Sequence, residues 1–122
     1  MDLKSLIGKI FEIDSNIRYV AVADSKLQLI ESKMREDIPS FTPEEIDSAF
    51  FSWVPSVMIE GVSKISSYVG SVVSVTIQYE KLLAIYIPVK GYVVALTLNP
   101  TTKQSGSEIA RSVKALIDAA NV

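Results

Sequence analysis

The apolar residues of the first segment recur at helical steps. Leu3, Leu6, Ile7, Ile10 and Ile13 fall three or four positions apart, while Lys4, Lys9 and Glu12 lie off that stripe. This spacing places one apolar face along a helix, and Asp14-Ser15-Asn16 interrupts it. The pattern then changes period. Ile17–Ala23 (IRYVAVA) is β-branched and aromatic and reads as a strand. Asp24-Ser25-Lys26 reads as a tight turn. Residues 27–33 follow as a second strand with Gln28, Glu31 and Lys33, and Arg35-Glu36-Asp37 with Pro39 make a polar connection.

Thr42-Pro43-Glu44-Glu45 is a helix start. Thr42 can cap, Pro43 suits the first helical position and Glu45 completes a capping box. The pattern predicts a middle helix to about Ser66. Pro55 inside it lacks an N–H and crowds the carbonyl of Phe51, which predicts a kink or two shorter helices. Residues 71–79, 82–89 and Tyr92–Leu98 read as three strands joined by the short turns Glu80-Lys81 and Lys90-Gly91, a meander. After the loop Asn99-Pro100-Thr101-Thr102, Ser105-Gly106-Ser107-Glu108 is a second capping box. It opens a last helix whose stripe is Ile109, Val113, Leu116, Ile117 and Ala120.

Strand polarity predicts sheet order. Residues 82–87, Tyr92–Leu98 and Ile17–Ala23 are apolar on both faces apart from Thr97 and Arg18, so they need cover on both sides. The second and third strands carry more polar positions and belong at the edges. Hairpins pair strand 1 with 2, 3 with 4 and 4 with 5, so strand 1 must meet strand 5. The expected order is 2-1-5-4-3 in a mainly antiparallel five-stranded sheet. With the element order α-β-β-α-β-β-β-α, this is a single α/β (α+β) domain over residues 1–122 with three α/β/α layers.

The two edges differ. Strand 2 carries Glu31 and Lys33, which oppose strand addition. Strand 3 has neither charge nor proline over residues 71–79, an edge open to pairing with a second copy. On a helical wheel, the middle helix spreads Ile46, Phe50, Phe51, Trp53, Val54, Val57, Met58, Val62 and Ile65 over an arc of roughly 180°, wider than the ~100° that covers a sheet. The surplus predicts a dimer interface built from Phe50, Phe51, Val54, Met58 and Val62 on the helix and Val73, Val75 and Ile77 on strand 3.

With this order of elements, the chain resembles the Roadblock / dynein light chain family of the profilin-like and longin-like group, over its whole length. The segment from Arg18 through Asp24-Ser25-Lys26-Leu27 to Ile30 is similar to the family's first hairpin, with Lys26-Leu27 where members often have a glycine. Pro55 is a second departure. The resemblance implies dimers through the middle helix and strand 3, and a scaffolding or regulatory role, often toward small Ras-like GTPases. It also implies a short stand-alone prokaryotic member, archaeal by expectation.

Composition narrows the chemistry. The 122 residues are 48% hydrophobic and include no Cys and no His. No disulfide framework, zinc–thiolate site, thiol nucleophile or imidazole base is therefore available. Twelve Lys and Arg against fourteen Asp and Glu give a net charge of −2, without the basic excess that nucleic-acid binding uses. The N-terminus has no signal-peptide pattern and no apolar run approaches the ~20 residues of a membrane span, so the expectation is a cytoplasmic chain.

Other candidate constellations read as structural. Glu44, Glu45 and Asp47 resemble a hard-cation cluster but suit the positive end of a helix. Residues 31–37 read as a solvated loop, with partner docking as the alternative. Ser105-Gly106-Ser107 could cradle an anion, but no phosphate-loop spacing follows. Ser105 and Ser107 lack a His, leaving only Lys103 or Lys114 as a base. Tyr19, Tyr68, Tyr79, Tyr86 and Tyr92 divide between core and interface. The expected function is therefore a non-enzymatic dimeric interaction module, with neither cofactor nor metal and a protein partner. A small-molecule sensor domain of PAS or GAF type is the alternative, recognisable by an apolar cavity.

Overall fold

The computed structural model describes residues 2–36, 38, 61 and 63–120. Helix α1 (Leu3–Phe11) starts on Asp2, whose side chain accepts from the Ser5 N–H at 2.8 Å. It buries Leu6, Ile7 and Ile10, the stripe set by its spacing. Strands β1 (Ile17–Ala23) and β2 (Leu29–Met34) form the first hairpin. A 3-10 turn at Ser63–Ile65 and the short α2 (Ser66–Val69) lead through Gly70, at φ 91°, to β3 (Val75–Gln78), β4 (Leu83–Val89), β5 (Tyr92–Leu98) and α3 (Gly106–Ala120). The middle helix expected from Thr42, and the kink at Pro55 with it, lie outside the described residues except near the end, where Gly61 is helical and the 3-10 turn and α2 cover Ser63–Ile65 and Ser66–Val69.

All sheet pairings are antiparallel, in the order β2-β1-β5-β4-β3. The polarity argument therefore holds: the three strands apolar on both faces are the central ones. One sheet face carries Ile17, Val20, Val22, Ile85, Ile87, Val94, Leu96 and Leu98, all buried under α1 and α3. The other carries Ala21, Ala23, Ala84, Ala95 and Tyr86, also buried, with Tyr19, Val75 and Ile77 packed against them. The chain thus puts its large aliphatic groups under the two described helices and a floor of alanines on the opposite face.

Local chemistry sets the turns. In the β1–β2 connection the Asp24 carboxylate accepts from the N–H groups of Lys26 (2.9 Å) and Gln28 (3.0 Å), and Asp24 N–H donates to the Gln28 carbonyl at 3.0 Å. The turn is thus longer than three residues, and β2 starts at Leu29 instead of residue 27. Leu27 takes φ 62° there, at the place where the Lys26-Leu27 pair departs from the family's glycine. In the β4–β5 hairpin Lys90 and Gly91 both have positive φ (49° and 82°), as a type I′ turn demands. Glycine adopts that conformation freely and lysine does not. Lys90→Asn should therefore raise stability by about 0.5 kcal/mol, less than the strain it relieves, because an exposed ion pair of Lys90 with Asp118 (3.4 Å) is lost. A higher urea midpoint at unchanged slope would show it.

Helix α3 begins with the expected capping box. Glu108 N–H donates to the Ser105 hydroxyl and Ser105 N–H to the Glu108 carboxylate, each at 3.1 Å. These bonds hold the Glu108 carboxyl below its usual range. The first turn of α3 presses on β3: a side chain at Gly106 would collide with the Thr76 hydroxyl and come within 3.4 Å of Thr76 Cβ. Glycine here lets the edge strand seat against the helix.

Candidate functional site

The edge at β3 is where the sequence places the interface. β3 is shorter than expected, Val75–Gln78 instead of residues 71–79, and the reason lies in β4. Tyr79 N–H donates to the Leu82 carbonyl at 2.7 Å, so backbone groups of Leu82 and each second residue after it, Ala84, Tyr86 and Pro88, face β3. Leu83, Ile85, Ile87 and Val89 face β5. At Pro88 the edge that should receive β3 has no N–H, and a ladder cannot continue past it. The pairing accordingly ends at Val75↔Tyr86, and residues 71–74 leave the sheet before the Val73 position opposite Pro88. Pairing with β5 is untouched, because Pro88 turns its missing donor the other way; Pro88↔Val93 stays in register.

Val75 and Ile77 are half-buried against the alanine face and Tyr86, with Thr76 and Gln78 exposed between them. Burial raises the Tyr86 phenol's pKa, with a smaller contribution from Tyr79, so Tyr86 stays neutral throughout the working range. Val73 is exposed. Phe50, Phe51, Val54, Met58 and Val62 lie outside the described residues. The structure adds apolar side chains that the periodicity did not single out as interface. Tyr68 is 87% and Val69 72% exposed, with Ile65, Val73 and Tyr79 also on the surface. These residues run along the chain from the end of the middle segment to the end of β3. Monomeric surfaces seldom gather large apolar groups in this way. The available signal for Tyr68 and Val69 was that residues 68 and 69 continue apolar past the expected helix end at Ser66, too far for one core stripe.

The residues considered for chemistry have other partners. The Ser105 hydroxyl caps α3, and the Glu108 carboxylate fills the place an anion would take. Arg35, read as part of a solvated loop, is half-buried. It donates from Nε to the Ile17 carbonyl (2.6 Å) and from one terminal nitrogen to the carbonyls of Phe11 (2.9 Å) and Asp14 (3.1 Å), with its guanidinium 4.9 Å from the centroid of the Phe11 ring. It straps the end of β2 to the α1–β1 loop. Beside it, Asp14 accepts from Thr102 Oγ1 (2.6 Å), Gln104 Nε2 (3.1 Å) and Asn16 N–H (2.8 Å). Burial raises the Asp14 pKa, but these hydrogen bonds outweigh it and leave the carboxyl below its usual range.

Glu44, Glu45 and Asp47 lie outside the described residues; among those described, no group of three or more His, Cys, Asp or Glu could hold a metal ion. No described helix is long and apolar enough to cross a membrane. An open cleft of about 470 Å³ lies where residues 71–72 pass the β4–β5 hairpin, with Ser71, Pro88, Lys90, Lys114 and Asp118 on its walls. It is solvent-open and partly charged, unlike the enclosed apolar cavity of a sensor domain.

Solved structures share this architecture. The Roadblock/LC7 domain from Streptomyces avermitilis superposes with a TM-score of 0.71 at 9% identity, covering 99% of this chain and 96% of that one. The chain has the Roadblock/LC7 fold. Myxococcus xanthus MglB matches at 0.71 with 12% identity over 99% and 98% of the two chains. The gliding protein MglB from Thermus thermophilus matches at 0.70 with 13% identity over 97% and 87%. No family model and no curated protein matches the sequence. Identities this low carry the Roadblock/LC7 fold and no individual residue's role.

Proposed function

We propose that this chain is a non-catalytic protein-interaction module that works as a homodimer and regulates or scaffolds a small Ras-like GTPase. The observation that carries the reading is the β3 edge, with its adjoining run of exposed Ile65, Tyr68, Val69, Val73 and Tyr79. A sheet edge offers unpaired N–H and C=O groups, and the apolar run supplies area whose burial drives association. The dimer would join β3 to its copy and bury Val73, Val75 and Ile77 together with Phe50, Phe51, Val54, Met58 and Val62. The GTPase partner follows from the resemblance to Roadblock proteins and from the MglB-like fold. No side chain is assigned to catalysis, and the module acts by shape and apolar contact.

Light scattering at tens of micromolar should give twice the 13.4 kDa chain mass. Tyr68→Glu and Val73→Glu, both at exposed positions, should return it to a folded monomer, with the melting temperature lowered only by the association that is lost. A wild-type monomer at that concentration sinks the dimer. For the partner, the dimer should bind one nucleotide state of a Ras-like GTPase from its own organism in preference and change its exchange or hydrolysis rate. Absence of binding to every such GTPase sinks the regulatory reading.

A further inference from the structure

The other end of the sheet is β2, and its sequence is complementary to itself. Arg35 N–H donates to the Arg18 carbonyl at 2.7 Å, and β2 continues with Lys33↔Val20 and Glu31↔Val22. Arg35, Lys33 and Glu31 therefore turn their backbone groups toward β1. The intervening Ser32 and Met34 turn theirs outward, where the sheet ends among the described residues. An outward-facing residue on a two-fold axis can exchange both its N–H and its C=O with its own copy.

We propose that β2 pairs antiparallel with β2 of a second copy about an axis at Ser32, joining two sheets into one. That register sets Glu31 of each copy opposite Lys33 of the other, and Ile30 opposite Met34. Both charge pairs fall on one sheet face, because Glu31 and Lys33 oppose Val22 and Val20 of β1, which share a face. Neighbouring registers are excluded by the same charges. An axis at Glu31 sets glutamate against glutamate; one at Lys33 sets lysine against lysine and leaves Glu31 opposite Arg35, whose guanidinium is already held by the α1–β1 loop; and one at Met34 sets Lys33 beside Arg35. An axis at Ile30 falls on the irregularity between Val22 and Ala23 where Ile30 is the extra residue. Like charges directly opposed on adjacent strands repel, and opposite charges attract. The two charges that guard β2 against other strands thus select its own. Leu29 and Ile30, 43% and 44% exposed, lie at the ends of the paired segment, where apolar contact with Met34 covers them. The ladder is short, so the association depends on concentration.

Sedimentation equilibrium of the full chain from low micromolar to millimolar tests this with Glu31→Lys, Lys33→Glu and the two together. The wild type should show a mass-doubling step. Each single reversal sets two pairs of like charges in opposition and should weaken that step roughly ten- to thirtyfold. The double reversal should restore it. Where copies also pair through β3, the starting species is a dimer with a β2 edge at each end, and the β2 step is read as growth in mass beyond the dimer in place of a single doubling; the charge series reads that step whether or not the proposed dimer exists. The chain has no cysteine. Ser32→Cys should therefore oxidise rapidly to a covalent pair across the axis, where the facing Cα atoms stand about 5.5 Å apart, and Lys26→Cys should not. The proposal is overturned if no β2 step occurs, if the reversals leave the step unchanged, if the double variant stays as weak as the singles, or if the two cysteine variants cross-link alike.

Discussion

Leu96→Ala should cost about 3–5 kcal/mol, the upper part of the range for emptying a well-packed core site. Leu96 has no exposed surface and sits in β5, between Val20 of β1 and Ile85 of β4. Its side chain lies on the face covered by α1 and α3, among Ile85, Ile87, Val113 and Ile117. Strands on both sides and helices above leave little room for collapse into the space. Domains of this size hold about 5–15 kcal/mol in total, so the change removes roughly a fifth of it at the least. The melting temperature should fall by about 10–20 °C. Leu29→Ala is the contrast: the side chain is well exposed on edge strand β2, and its removal should cost no more than about 0.5 kcal/mol. Urea titrations of both variants at equal slope decide the point, and a similar loss in each would mean that the core does not lie on the helix-covered face.

The contrast between Leu96 and Leu29 also shows why the strand order was legible in the sequence. Central strands are buried on both faces, so β1, β4 and β5 read as near-continuous apolar runs, and their limits came out within a residue. Edge strands answer to other rules. The length of β3 depends on Pro88, in the neighbouring strand, and on which way its missing donor turns; a run of residues without charge or proline contains no hint of that. The start of β2 depends on Asp24, whose carboxylate holds N–H groups as far as Gln28 and lengthens the turn. Of the candidate interface, Val73 was legible because it lies in an apolar run beside a sheet edge. Tyr68 was left open between core and interface and Val69 was not singled out, because the only mark of their exposure is that they stay apolar beyond a helical pattern that ends at Ser66. The role of Arg35 was hidden for a different reason. Its three acceptors belong to residues 11, 14 and 17, and a charged residue between Met34 and Glu36 looks solvated until the α1–β1 loop is folded against it.

That strap gives the second large effect. Arg35→Met keeps the length and much of the volume of the stem but removes the donors to the carbonyls of Phe11, Asp14 and Ile17. Hydrogen bonds from a charged donor contribute about 1.5–3 kcal/mol each, and their losses do not add. The acceptors are only part-buried, so water replaces some of the lost bonding, and the expected cost is about 2–4 kcal/mol. The Phe11 carbonyl lies at the C-terminal end of α1, where a cation is also favoured by the helix dipole. Arg35→Lys should recover only part of the loss, because one ammonium cannot reproduce the planar fork that meets three carbonyls. The neighbouring Asp14 adds a pH dependence whose sign is set by its lowered pKa. A carboxyl held below its unfolded value contributes stability above about pH 4, and loses it as the pH falls through the folded value. Asp14→Asn cannot titrate, and one of its side-chain positions becomes a donor facing the Thr102 hydroxyl, the Gln104 amide or the Asn16 N–H. It should therefore be less stable than the wild type at neutral pH and lose less on acidification. Urea midpoints measured at pH 7 and again below pH 4 should show the two proteins converging, and parallel curves would remove Asp14 from the acid response.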